Sequence, residues 1–328
     1  MPIIDRRTML GALALTAPLM ARASLAQSPP YPARPVRILV GAAAGGATDI
    51  LTRVLAEGMS VDFPRGFAVE NRPGTGGNIA AEAVARAAPD GYTLLMGDQA
   101  QMAINLALYR RVGFDPARDF APIGLVAEFP FVIVVNPAVP ARSLADFAAW
   151  ARAQAEPVLY GSPNAGSPHH LGMEALARRL GFRVAHVPYR GGAPAVVDLL
   201  SGQLRVGSIG LPPLVPHLRE GKLVALVVST PNRSPLAPDG PTIAESAVPG
   251  FSVPVWYGLL APAGVPVEAI RHTEGTLARA ESRPELIAKL GESGLTVRRG
   301  DAAAFGAFLA SEMVFWGEAA RTSGVTIE

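Results

Sequence analysis

Short apolar runs alternate with amphipathic segments along the chain after about residue 30. Val36–Val40 is rich in β-branched residues and bounded by prolines and glycines, which predicts a buried strand. Ile50, Leu51, Val54 and Leu55 then fall on one face of a helix. Further strands are predicted at residues 67–70, 92–96, 131–135, 159–160, 184–187, 205–209 and 224–229, and further helices at 78–87, 144–150, 168–180, 266–280, 283–292 and 302–321. This alternation predicts parallel βαβ units and an α/β fold.

The chain length and the placement of the strands predict two lobes. With 328 residues the chain is long for one compact domain. The strand at residues 131–135 opens a fresh set of βα units, and a stretch rich in proline and glycine follows residue 248. We therefore expect lobe one to combine residues 31–127 with 252–328 and lobe two to span 128–251. The two crossovers are predicted near residues 128–130 and 248–251.

The N-terminus has the pattern of an export signal. Arg6 and Arg7 precede an apolar run at residues 9–21, which is too short to span a bilayer. Ser24 and Ala26 are small residues at the positions that a signal peptidase reads, so residues 1–26 are predicted to be a signal peptide cleaved after about Ala26. The arginine pair also resembles a twin-arginine motif. The alternative, a membrane-anchored helix, is disfavoured by an arginine just after the run.

Composition narrows the class of function. The formal net charge is only +2, and the lysines and arginines form no long run, so the chain lacks the basic face that nucleic acids need. There are no cysteines, which excludes disulfides, thiolate metal sites and cysteine nucleophiles. Hydrophobic residues make up 49% of the chain and charged residues 17%, which is typical of a well-packed globular protein.

Two glycine-rich loops lead into predicted helices and form candidate binding loops. The first covers residues 41–49 and the second residues 161–168. In open α/β sheets, ligands bind beyond the carboxyl ends of the strands, where backbone N–H groups at helix starts attract anions. The predicted contacts are Gly46, Ala47, Thr48 and Asp49 from the first loop, Ser162, Asn164, Ser167 and His169 from the second, and Gln99, Gln101 and Asn105 at the rim.

Each of these features has an alternative interpretation. The first loop lacks the spacing of a nucleotide-binding loop. Asp49 could serve only as a helix cap. His169 and His170 are adjacent, so they point about 100° apart on a helix and cannot both bind one metal ion from it. No serine sits in a nucleophile-elbow motif, yet a small-molecule hydrolase that uses Ser162 or His169 is kept as an alternative.

An ordered series of short motifs resembles one family over nearly the whole chain after residue 31. It includes GGATD at residues 45–49, VENRPGTGGNIA at 69–80, PDGYTLL at 89–95, RDFAPI at 118–123, HVPYRG at 186–191 and PTIAE at 241–245. Each motif is weak alone, but the set in this order is specific. The chain resembles the Bug family, the solute-binding receptors of tripartite tricarboxylate transporters.

The resemblance implies a two-lobed, type II periplasmic-binding-protein fold with a ligand cleft between the lobes. It also implies a small organic carboxylate held by backbone groups and bridging waters, with no catalysis and no cofactor. The expected partner is a membrane permease, and the protein is expected to be a periplasmic monomer. A sensor that presents its closed form to a signalling partner would have the same fold and is the second alternative.

One departure from the family pattern concerns the ligand. Many members have an aspartate where this chain has Ile209, next to Gly210. That aspartate is a plausible partner for the ammonium of an amino acid. With Asp49 as the only acid expected near the cleft, and with Ile209 and Gly210 offering apolar room for the ligand, we expect a carboxylate without a primary ammonium.

Overall fold

The computed structural model describes residues 31–323, 325 and 327. The predicted signal peptide lies outside these residues. Within them, the strands are β1 Val36–Val40, β2 Phe67–Asn71, β3 Thr93–Asp98, β4 Phe120–Val135, β5 Val158–Ser162, β6 Val184–Pro188, β7 Val206–Gly210, β8 Val224–Val228, β9 Pro254–Pro262 and β10 Thr296–Gly300. The helices are α1 Ala47–Ser60, α2 Asn78–Ala85, α3 Asn105–Leu108, α4 Leu144–Arg152, α5 Pro168–Leu180, α6 Gly192–Ser201, α7 Val215–Arg219, α8 Ile243–Ser246, α9 Val267–Glu281, α10 Pro284–Glu292 and α11 Ala302–Thr322.

The strands run in the order β2-β1-β3-β9-β4-β7-β5-β6, with β10 and β8 also paired to β4. The pairs β1–β2, β1–β3, β5–β6 and β5–β7 are parallel, as the alternation of strands and helices predicted. β9 and β4 are antiparallel to their neighbours. The sequence did not predict β9, β10 or helix α6, nor the full length of β4.

Strand β4 joins the two lobes. Its first part, up to Pro130, pairs with β9, whereas from Phe131 onward it pairs with β7 and β8. At this change the Ser229 hydroxyl accepts the Phe131 N–H at 3.0 Å and donates to the Val253 carbonyl at 2.8 Å. One buried serine therefore ties the outgoing strand to the returning one. The change of strand partners falls between Pro130 and Phe131, and the boundaries of lobe two at residues 128–251 remain our proposal.

Amphipathic helices cover the sheet. In α1, Leu51, Leu55 and Met59 recur every four residues and are fully buried. Phe63 and Phe147 are among the largest buried side chains, one in each lobe. Burial of each such side chain stabilises the fold by about 2–3 kcal/mol.

Local sequence signals place the start of α5, which matters for the site. Ser167 caps the helix by accepting the His170 N–H, Pro168 occupies the first turn, and Gly181 ends the helix at φ 68°. Proline is favoured at this position because its missing N–H would have no intrahelical acceptor. The following residues, His169 and His170, are thereby held in the first turn.

Candidate functional site

A narrow cavity of about 40 Å³ lies between the lobes. It is lined from lobe one by Gly41, Ala42, Gly46, Ala47, Thr48, Gly76, Gly77, Asp98 and Gln101, from lobe two by Pro163, Asn164, Ser167, Pro168, His169, Gly191, Gly192, Gly210 and Pro213, and between them by Phe129, Val255 and Tyr257. The lobes touch beside it, since the Ala43 N–H donates to the Arg190 carbonyl at 2.9 Å.

Four helices begin at this cavity: α1, α2, α5 and α6. The N–H groups of a first helical turn lack intrahelical acceptors and carry the positive end of the helix dipole. Gly46 and Gly191 precede α1 and α6 without any side-chain cap. Since neither lysine nor arginine lines the cavity, these helix starts are its source of positive potential.

Close backbone approach explains Gly41 on the lobe-one side, because a Cβ atom there would lie 2.7 Å from the Cα of Gly77. At Gly46 a Cβ atom would lie at ordinary contact distance, 3.5 Å from the Gly192 nitrogen of the opposite lobe. A larger side chain at Gly46 would therefore fill the space between the two lobes.

Asp49 stabilises the first loop and does not line the cavity. It is 3% exposed and accepts the Gly45 N–H at 2.8 Å, the Arg53 Nε at 3.0 Å and the Asn71 Nδ2 at 2.9 Å. Burial works to raise the pKa of Asp49, but these hydrogen bonds outweigh it and hold the pKa below its ordinary value. The Asp49 carboxylate therefore stabilises the turn that places Gly46 and Thr48 at the cavity.

Thr48, Tyr257 and Asp98 line the same cavity and are linked in this order. The Thr48 hydroxyl donates to the Tyr257 hydroxyl at 2.8 Å, and Tyr257 lies opposite Asp98 in the β3–β9 pairing. Asp98 accepts the Gln101 N–H at 3.1 Å. Burial raises the pKa of Asp98 to about 6, although the nearby donors of Gln101, Ala100 and Tyr257 oppose the rise.

His169 faces the cavity from lobe two. It is 4% exposed, packs against Phe131 with ring centroids 5.6 Å apart, and neither of its ring nitrogens has a hydrogen-bond partner. Burial lowers its pKa to about 3, so the imidazole is neutral and offers one donor and one acceptor. Unpartnered buried polar groups are unfavourable, which makes this ring a candidate for contact with a bound molecule.

Eight of the predicted contacts line the cavity: Gly46, Ala47, Thr48, Gln101, Asn164, Ser167, His169 and Gly210. The structure places five elsewhere: Asp49, Gln99, Asn105, Ser162 and Ile209.

Contacts within the fold account for the side chains that lie away from the cavity. The Gln99 side chain donates a hydrogen bond to the Pro254 carbonyl and accepts one from the Trp256 N–H, both on β9. Asn105 donates to the carbonyl of Gly76. Ile209 is fully buried in the core of lobe two.

Asp98, Tyr257 and the glycines at the starts of α2 and α6 line the cavity, although the sequence analysis did not place them there. Asp98 ends β3, so the rule that ligands bind at strand carboxyl ends could have found it. The expectation that Asp49 is the only acid near the cleft was therefore wrong. Tyr257 lies on β9, whose pairing beside β3 no local pattern indicated.

Within residues 31–323, no group of three or more histidine, aspartate or glutamate side chains is placed to hold a metal ion. No helix among the described residues has the length and apolar character needed to cross a membrane. A two-lobed α/β fold with a cavity between the lobes is the architecture of solute-binding receptors.

Comparison with known proteins gives the family. The family described as "Tripartite tricarboxylate transporter family receptor" matches residues 51–324. Protein BugT of Bordetella pertussis is 32% identical over 299 residues, which cover 91% of this chain and 92% of BugT. The chain therefore belongs to this family of extracytoplasmic solute-binding receptors, as its motifs suggested.

Solved structures agree with the fold. The periplasmic binding protein BugD superposes with a TM-score of 0.87 at 32% identity, covering 91% of this chain and all of BugD. An R. palustris protein solved with adipate gives 0.87 at 34% identity, covering 90% of this chain and 99% of that protein. MatC from Rhodopseudomonas palustris, with bound malate, gives 0.83 at 30% identity over 88% of this chain and all of MatC.

Proposed function

We propose that the protein captures a small organic carboxylate between its lobes and delivers it to a membrane permease. The observation that carries this proposal is the convergence of four helix starts on a cavity that no lysine or arginine lines. Such a site attracts an anion through backbone N–H groups. The relatives solved with adipate and malate bind ligands of this chemical class.

The first turn of α1 is the proposed carboxylate site. Gly46, Ala47 and Thr48 line the cavity, and their backbone can be approached closely because residue 46 has no side chain. From lobe two, the neutral His169 ring can donate one N–H to the same anion. Contacts from both lobes would favour hinge closure around the ligand.

A thermal-shift screen of the mature protein against small organic acids tests the proposal. A receptor is stabilised by its ligand in proportion to occupancy. Gly46→Val should abolish the shift because the new side chain fills the space between Gly46 and Gly192. Thr48→Ala should weaken the shift less, because the Thr48 hydroxyl already donates to Tyr257. Equal shifts in Gly46→Val and the unmodified protein would exclude this loop as the binding site.

The hydrolase alternative receives no support from the position of Ser162. Its hydroxyl is fully buried, lies outside the cavity and is 2.8 Å from His186 rather than from His169. We propose that the protein is not an enzyme. Turnover of an ester or amide that is lost in His169→Ala would contradict this.

The cellular location is also part of the proposal. Cleavage after about Ala26 would release a periplasmic monomer, which N-terminal sequencing and light scattering of the exported protein can check. A sensor role differs only in the partner, so co-purification of the closed form with a permease rather than a signalling protein would separate the two.

A further inference from the structure

The cavity contains hydrogen-bond acceptors that the fold leaves without donors. Gln101 is 2% exposed, and its Nε2 donates to the Gly77 carbonyl at 3.2 Å, which leaves Oε1 facing no donor. Asn164 Oδ1 is likewise buried without a partner. Both residues line the cavity together with the Asp98 carboxyl group.

The charge balance of the cavity is unusual for a site that binds anions. Asp98 is the one carboxyl group lining it, and no basic side chain is present among the lining residues. A ligand with two carboxylates would place three negative charges in this small space. The helix starts can balance part of that charge, but a half-buried carboxylate without a cationic partner in an enclosed cavity remains unfavourable.

The hydrogen bonds at Asp98 favour its ionised form. The Gln101 N–H donates to this carboxylate at 3.1 Å, and the neighbouring Ala100 N–H and Tyr257 hydroxyl also work to lower its pKa. Tyr257 lies directly opposite Asp98 in the β3–β9 pairing, and because Thr48 donates to the Tyr257 oxygen, the Tyr257 proton is free for another acceptor such as Asp98. Asp98 therefore acts as an acceptor that lacks a cationic partner.

We propose that the ligand is a small carboxylate that also carries an ammonium group, and that Asp98 pairs with this ammonium. The inference rests on the proposed function and names the class of ligand for the same cavity. An ammonium offers three N–H donors, one each for Asp98, Gln101 and Asn164, while the carboxylate lies at the start of α1. A hydroxyl group offers one donor and leaves the Asp98 charge unpaired. This replaces the expectation, drawn from Ile209, of a ligand without an ammonium.

Ligand binding is then linked to proton release. The other titratable groups that line the cavity are Tyr257 on β9 and His169 on α5, and no lysine or arginine is among the lining residues. Burial raises the pKa of Asp98 to about 6 in the empty site, and a bound ammonium would lower it again. Affinity for an amine-bearing acid should fall as the pH drops below about 6, because the ammonium then meets a protonated Asp98.

Calorimetric titration with two matched ligand sets tests the proposal. Propionate, lactate and alanine differ only in the group beside the carboxylate, as do succinate, malate and aspartate. In the unmodified protein at pH 7.5, the amino acid of at least one set should bind at least about tenfold more tightly than its partners. Asp98→Asn should weaken amino-acid binding about 10- to 100-fold. In the second set, the preference for aspartate over succinate should become smaller or reverse. Asp239→Asn, an exposed control, should change nothing.

A second measurement keeps the test decisive if Asp98→Asn does not fold. Titrations of the unmodified protein at pH 6, in two buffers of different ionisation enthalpy, should show release of about half a proton per amino acid bound, because Asp98 is about half protonated in the empty site at that pH. Tightest binding of succinate, malate, propionate or lactate, or no proton release with the amino acids, would overturn the inference while leaving carboxylate capture intact. If no member of either set binds, the proposed function and this inference are both overturned.

Discussion

Two neighbouring histidines on α5 have opposite surroundings although both are buried. His170 Nδ1 accepts the Gly166 N–H at 3.1 Å, and its ring stacks on His186 with centroids 3.8 Å apart. Neither nitrogen of His169 has a partner, and this ring faces the cavity. The two side chains point about 100° apart because they are adjacent on a helix. The His170 face of the first turn is thus hydrogen-bonded within the fold, whereas the His169 face lines the cavity without a hydrogen-bond partner.

The largest expected effect is loss of stability in acid. Burial lowers the pKa of His169 to about 3 and of His170 to about 4, so the unfolded chain, with ordinary histidines, takes up protons first as the pH falls. Stability from neutral histidine is complete above about pH 6.5 and is lost below it. At pH 5 the loss should be about 2 kcal/mol for each histidine.

Urea unfolding at pH 7.5 and pH 5 measures this loss. The variants His169→Leu and His170→Leu should each lose about 2 kcal/mol less than the unmodified protein over the same range. The same pH dependence in all three proteins would mean that neither ring is held neutral.

The second prediction compares the free energies of unfolding of the His170→Leu and His169→Leu variants at pH 7.5. His170→Leu leaves the buried Gly166 N–H without an acceptor and removes the stacking on His186. We expect a loss of about 2–3 kcal/mol in the free energy of unfolding. His169→Leu should lose less than about 1 kcal/mol, because its ring nitrogens have no partners to lose. Equal losses of stability in the two variants would contradict the different surroundings of the two histidines.

The third prediction reverses the order of the two variants for binding. His169→Leu should weaken ligand affinity by about tenfold, because a hydrogen bond to a charged group contributes about 1.5–3 kcal/mol. His170→Leu should change ligand affinity by less than about threefold, since the His170 ring packs on His186 and does not line the cavity. Calorimetric titration with the tightest ligand of the screen gives both values. A larger loss of affinity in His170→Leu than in His169→Leu would mean that the ligand contacts the His170 face of α5 and not the His169 face.

The two faces also show what the sequence could and could not predict. Loop composition and strand order placed His169, Asn164 and Ser167 at the cavity, because helix starts and strand ends follow local rules. The partners of Ser162 and Gln99 depend on His186 and on β9, which local patterns do not bring together. The same holds for Asp98, whose role depends on Tyr257, 159 residues away in the chain yet opposite Asp98 in the β3–β9 pairing.

The smallest effect concerns Ser162, which the sequence had assigned to the ligand. Its hydroxyl donates to the Asn164 carbonyl at 3.1 Å, so it accepts from His186 Nε2 at 2.8 Å. Ser162→Ala removes both hydrogen bonds but opens little space. We expect a stability loss of about 1 kcal/mol and ligand affinity within about twofold of the unmodified protein. Urea unfolding and calorimetry of this one variant test both numbers. A tenfold loss of affinity with unchanged stability would contradict this and would place Ser162 at the cavity beside His169. Only a group that contacts the ligand would affect binding without affecting the stability of the fold.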